Sequence, residues 1–213
     1  MKPILFNTDM VRAILSGQKA QTRRVVKLKY SNTHHEMRTD KYGTRLIEIQ
    51  NEEPGVTTVK KPGRNHNTQT VACIGPQPPC RPGDILYVRE TWNGVTTGNH
   101  TVGYWYKADD KDENPDDKWR PSIHMPKEAA RIFLRVTDVR EERLQEMTVR
   151  DLIAEGFASL ADIPYSASER FDEFKTLWDS TIKTADLDRY GWDANPWVWV
   201  ISFERCGKPE VAP

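Results

Sequence analysis

In the stretch ILSGQKAQTRRV, residues 14–25, a lysine, a threonine and two arginines fall within six positions: Lys19, Thr22, Arg23 and Arg24. A threonine hydroxyl is a weak nucleophile that needs a neighbouring base. A lysine serves as that base when burial or nearby positive charge keeps its amine neutral, and Arg23 and Arg24 supply such charge. An arginine fork also binds a phosphate, a carbonyl oxyanion or a carboxylate. The same residues have a plainer use, because a solvated lysine after a helix end complements the helix dipole and threonine is a good strand former. Which use holds depends on the elements that frame the stretch.

Those elements are a helix and a strand. NTDMVRAILSG (7–17) has Met10, Ala13, Ile14 and Gly17 at helical spacing, with Asn7 or Thr8 able to cap its start and Gly17 placed to end it. TRRVVKL (22–28) alternates and is β-branched, which predicts a strand. Alternation puts Thr22 and Arg24 on one strand face and Arg23 on the other. The polar stretch therefore lies on a framed loop of the kind that carries function.

Further strands are predicted at KPILF (2–6), TRLIEIQ (44–50), ILYVRE (85–90), TVGYWYKA (101–108), ARIFLRVTDVR (130–140) and PWVWVISFER (196–205). Helices are fewer. MTVRDLIAEGF (147–157) is short and closed by Gly156, and ASERFDEFKTLWDSTI (167–182) is amphipathic, with Phe171, Phe174, Leu177 and Trp178 on one face. Short strands joined mostly by turns, without regular crossover helices, predict a mainly β (α+β) fold built on a partly closed β-barrel rather than a doubly wound sheet.

The 213-residue chain carries 31 Lys plus Arg against 31 Asp plus Glu, which excludes the uniformly basic coat of an indiscriminate duplex binder. Charge is unevenly spread nonetheless: residues 1–30 are rich in cations, and 107–118 in carboxylates. No apolar run is long enough to span a membrane, no basic-then-apolar leader is visible, and Cys73, Cys80 and Cys206 are an odd, sparse set, so a cytoplasmic protein is expected. Cys73 and Cys80, with His66, His34 and His35, invite a zinc reading, but their spacing is wider than that of ordinary zinc knuckles. No metal or cofactor is called for.

Tyr87, Arg89 and Glu90 follow the tight turn Pro82-Gly83-Asp84, and Arg89 and Glu90 resist burial unless paired, so they join Arg23 and Arg24 as candidate substrate contacts. Trp92, Tyr104, Trp105, Tyr106, Trp197 and Trp199 suit either core packing or base stacking. Residues 119–131, with Trp119, Arg120, His124 and Lys127, form a proline-punctuated loop that is either a lid or the anchor of an insertion.

Four pieces, ILSGQKAQTRR, RPGDILYVRET, RIFLRVTDVREERLQEMTVRDLIAEGF and NPWVWVISFE, resemble in this order an ASCH-domain protein of the PUA-like β-barrel superfamily. The likeness is greatest to the larger members encoded by phages and prophages. It covers about half the chain and leaves out 29–77 and most of 107–126, which read as insertions in a single domain over 1–213.

The resemblance implies a barrel whose cleft handles RNA or a modified nucleoside in a bacterial cell. Small members include amidohydrolases that remove the acetyl group of N4-acetylcytidine with a lysine, a threonine and a glutamate. Lys19 and Thr22 match the first two in spacing and place, with KAQT where those members have a KTIT-type segment, and Glu155 in LIAEG aligns with the glutamate. The expected catalytic set is Lys19, Thr22 and Glu155, with Glu155 passing a proton to the leaving amine. Other ASCH proteins resemble ribonucleases or plain RNA-binding modules, which remain the alternatives.

Overall fold

The structure is a computed structural model, described for residues 1–28, 33–40, 43–50, 76–97, 100–110, 118–157 and 163–209. The chain divides into two compact units, Met1–Arg24 with Cys80–Pro213, and Val25–Pro79, where the sequence alone predicts one domain with insertions.

In the first unit, β1 (Lys2–Leu5) lies parallel to β5 (Ile85–Arg89), which pairs antiparallel with β8 (Phe133–Arg143). β8 in turn pairs antiparallel with β9 (Trp197–Cys206), and β2 (Gln21–Val25) closes the order β1-β5-β8-β9-β2. The β-rich α+β character is as expected, but none of the described sheets closes into a barrel. β1 and β2 stand at opposite edges of the sheet, with no ladder between them. Side chains bridge them instead: Arg24 Nη2 donates to the Leu5 carbonyl at 2.9 Å, and its guanidinium lies 5.3 Å from the centroid of Phe6.

Local chemistry sets the elements around β2. The Asn7 side chain caps α1 (Thr8–Leu15) by accepting from the Met10 amide, and Val11 and Ile14 bury its inner face. Gly17, at φ +78°, turns the chain out of α1, and Lys19 N donates back to Ala13 O at 3.0 Å. On β9, the apolar run Val198–Ile201 is buried on both faces, as the interior strand of a covered sheet should be.

Two more elements complete this unit. β6 (Trp92–Thr97) and β7 (His100–Tyr106) form an antiparallel ribbon, and Trp92 packs with Met125, Ala129, Ala130 and Phe133. Residues 119–131 are an anchor: Arg120 exchanges backbone hydrogen bonds with Trp92, and Met125 is fully buried. α2 (Val149–Ala154) and α3 (Ile163–Thr181) follow β8, with Phe174 and Trp178 the buried residues of the predicted apolar face, and α4 (Leu187–Tyr190) leads towards β9. The second unit contains the hairpin β3 (Thr33–Asp40) and β4 (Gly43–Gln50), in which Leu46, Ile47 and Ile49 are buried. No described helix is long and apolar enough to cross a membrane. Cys73 and His66 lie outside the described residues, and among those described no group of three His, Cys, Asp or Glu is arranged to hold a metal ion.

Candidate active site

Lys19 leaves the turn after α1 and is only 3% exposed. Its Nζ donates to Glu155 Oε2 at 2.6 Å and to the Glu155 carbonyl oxygen at 3.0 Å. Glu155 is the C-cap of α2, itself 3% exposed, and the next residue, Gly156, takes φ +90° to turn the chain away. The α2 end thus presents both a carboxylate and an unsatisfied carbonyl to one buried ammonium, satisfying groups that would otherwise be costly in the interior.

Arg23 holds the other carboxylate oxygen: its Nη1 donates to Glu155 Oε1 at 3.2 Å. The same guanidinium is paired with Glu142 through Nε and Nη2 and lies 3.5 Å from Asp151 Oδ1. Asp151 accepts from Gln21 Nε2 at 3.1 Å and from Arg140 Nη2 at 3.2 Å. It also forms the α2 capping box with Thr148. Strand period two puts Arg140 and Glu142 of β8 on one face, where both reach this network.

Burial pushes the Lys19 amine below the usual lysine range. Glu155 opposes that shift, Arg24 and Arg23 reinforce it, and the net direction is down. Burial likewise lowers Arg24, with Glu155 opposing. Arg24 donates to the backbone oxygens of Leu5 and Arg23, and among the described residues it has no carboxylate partner, although a guanidinium offers five donors. Lys19 Nζ and Arg24 share the Phe6 ring, at 5.7 and 5.3 Å from its centroid. Thr22 lies between them in sequence, 1% exposed, on the β2 face that alternation assigns to Arg24.

The structure therefore brings Lys19, Arg23 and Glu155 into contact and adds Arg24 through Phe6. Tyr87, Arg89 and Glu90 have other partners. Tyr87 packs on the Trp92–Met125 cluster, and Arg89 Nε donates to Met125 O at 2.8 Å. Glu90, 1% exposed, takes both oxygens to Arg131 at 3.0 Å each, and its carboxyl is raised by burial against the pull of Arg131. None of these three is paired with the Lys19 cluster among the described residues. Of the aromatics, Trp92 and Trp199 are core residues, whereas Trp105 is 53% exposed.

Sequence reasoning missed Phe6, Glu142 and Asp151 as neighbours of the pair. Thr148-x-x-Asp151 reads as a helix cap, which it is, and the alternation of Arg140 and Glu142 was the available sign that β8 carries charged side chains on the face that reaches α2 and β2. Comparison of the chain with protein-family models, with curated proteins and with solved structures found no match.

Proposed function

We propose that this chain is an ASCH-type amidohydrolase that removes an acyl group from N4-acylated cytidine or a related modified nucleoside. The observation that carries the reading is the buried contact of Lys19 Nζ with Glu155 Oε2 at 2.6 Å, made by residues far apart in sequence. The approach of the two sheet edges through Leu5, Phe6 and Arg24 supports the partly closed, PUA-like barrel that the resemblance implies.

In this reading Lys19 is neutral when substrate binds and takes the Thr22 hydroxyl proton as Thr22 Oγ attacks the acyl carbonyl carbon. Arg24, which has donors to spare, stabilises the oxyanion. The proton passes across the Lys19–Glu155 contact to Glu155, which delivers it to the cytidine N4 as the C–N bond breaks. Water then hydrolyses the acyl-threonine ester, releasing the carboxylate and restoring Thr22.

The test is incubation with N4-acetylcytidine, with cytidine and acetate read by chromatography and mass. Release by the wild type and not by Lys19→Ala supports the proposal. The near-complete burial of Lys19 and Glu155 also favours a second reading, a non-catalytic RNA or modified-base binding module in which the pair is structural. No turnover by the wild type, together with salt-sensitive RNA binding that survives Lys19→Ala, would establish that second reading.

A further inference from the structure

We infer that Arg23 is a positioning residue for this site: it fixes one oxygen of Glu155 so that the other is aimed at Lys19, and it is itself fixed by Glu142 and Asp151. The inference rests on the reading of Lys19 and Glu155 as the proton-transfer pair and adds the unit that sets its geometry and charge.

A guanidinium only 1% exposed is a costly thing to place between a sheet and a helix end, and a lone ion pair does not justify it over an apolar side chain. Arg23 instead meets three carboxylates from two elements. Glu142 comes from β8, and Asp151 and Glu155 come from the first turn and the C-cap of α2. A planar fork can serve such partners at fixed angles, which a lysine cannot. Glu155 at the helix end would otherwise keep freedom about its terminal torsion. With Oε1 on Arg23 and Oε2 on Lys19, the carboxylate plane is held at both oxygens.

Charge gives the arrangement its second consequence. Lys19 is faced by Glu155 from α2, by Arg23 and Arg24 from β2, and by the Phe6 ring after β1. Arg23 is faced by Glu142, Asp151 and Glu155, while Arg140 of β8 pairs with Glu142 and Asp151. Glu142 and Asp151 thus meet most of Arg23's demand for negative charge and leave Glu155 shared with Lys19. Removing Glu142 makes Arg23 lean harder on Glu155 and leaves its cation less compensated, so Lys19 loses its proton at lower pH. Removing Arg23 does the reverse.

The experiment follows the side-chain Cε signal of Lys19 by NMR titration, assigned by its loss in Lys19→Ala, and in parallel the pH profile of kcat/KM on N4-acetylcytidine. Arg23→Met is expected to raise the Lys19 midpoint by about one pH unit, cutting kcat/KM about tenfold on the acid side of the profile. Glu142→Gln is expected to move the midpoint and the acid limb the other way, and Arg23→Lys does not restore the wild-type midpoint. A Lys19 midpoint and acid limb that stay put in folded Glu142→Gln overturn the inference, and that variant decides the matter if Arg23→Met fails to fold. If the wild type turns over no substrate, the proposed reaction falls while the NMR titration still decides the role of Arg23.

Discussion

One lysine closes both the charge and the backbone end of a helix: Lys19 Nζ reaches the carboxylate of Glu155 at 2.6 Å and its carbonyl oxygen at 3.0 Å. The two partners are not equivalent in what they leave behind. Lys19→Met strands one carbonyl but leaves the Glu155 carboxylate on Arg23, whereas Glu155→Ala leaves the buried Lys19 without its carboxylate partner, beside Arg24 and an Arg23 that keeps only Glu142 and Asp151. Glu155→Ala is expected to lose about 3–5 kcal/mol of stability, as broken buried pairs do. Lys19→Met should lose less. Urea denaturation of both variants measures the order, and a greater loss in Lys19→Met would show that Arg23 does not hold Glu155.

Gly156 controls the same junction from the backbone. It takes φ +90°, and a Cβ built there would lie 3.0 Å from the Ala13 Cβ and 3.3 Å from the Lys19 Cβ. Gly156→Ala therefore combines left-handed strain of about 1–2 kcal/mol with pressure on Lys19 itself. The expected outcome is a modest drop in melting temperature together with a loss of turnover larger than that drop explains. Retention of full turnover in a destabilised Gly156→Ala protein would show that Lys19 tolerates the displacement.

The pieces legible in the sequence were the local ones. Gly17 and Gly156 mark helix ends because each sits where the chain must reverse, and Lys19 and Thr22 follow the first of them on a framed loop. The link from Lys19 to Glu155 was legible only through family resemblance, since no spacing rule joins residues so far apart. Alternation put Arg23 on the face away from Thr22 and Arg24, but not which carboxylates it would meet. That depends on the register of β8 against β9, which carries an irregularity between Val136 and Asp138, downstream of which Glu142 is placed. β6 was missed because WNGVTT offers a mid-strand glycine and little hydrophobic alternation, and it is defined by pairing with β7. The barrel expectation came from short strands joined by turns, a pattern that an open five-stranded sheet with side-chain bridges between its edges satisfies equally.

Asp151 ties α2 to the network and gives the fold an acid-sensitive component. Burial pushes its carboxyl up, but hydrogen bonds from the Thr148 hydroxyl and amide and from Gln21, with Arg23 close by, outweigh that and hold it well below the ordinary aspartate range. A carboxyl depressed in the folded state contributes stability that is present above its unfolded midpoint near pH 4 and is lost as pH falls towards its folded one. Asp151→Asn should therefore lower stability at neutral pH and flatten the fall of stability below about pH 4 relative to wild type. Parallel acid-unfolding curves would refute this assignment.

Lys19 produces a dependence at the opposite end of the pH scale. Its amine is held below the ordinary lysine value in the folded chain, chiefly by burial, so between the folded and unfolded midpoints the unfolded chain binds more protons than the folded one. Stability then rises with pH across the window that ends near 10.5, the unperturbed lysine value, and is flat in this contribution below the folded midpoint. In Lys19→Met that contribution is gone. The difference in unfolding free energy between wild type and Lys19→Met, measured from about pH 7 to pH 10, should grow in favour of the wild type as pH rises. The same neutral amine is the base that the proposed reaction requires, so the acid limb of the turnover profile should lie inside this window and coincide with the onset of the stability gain. A turnover limb well outside the window would separate Lys19's titration from catalysis.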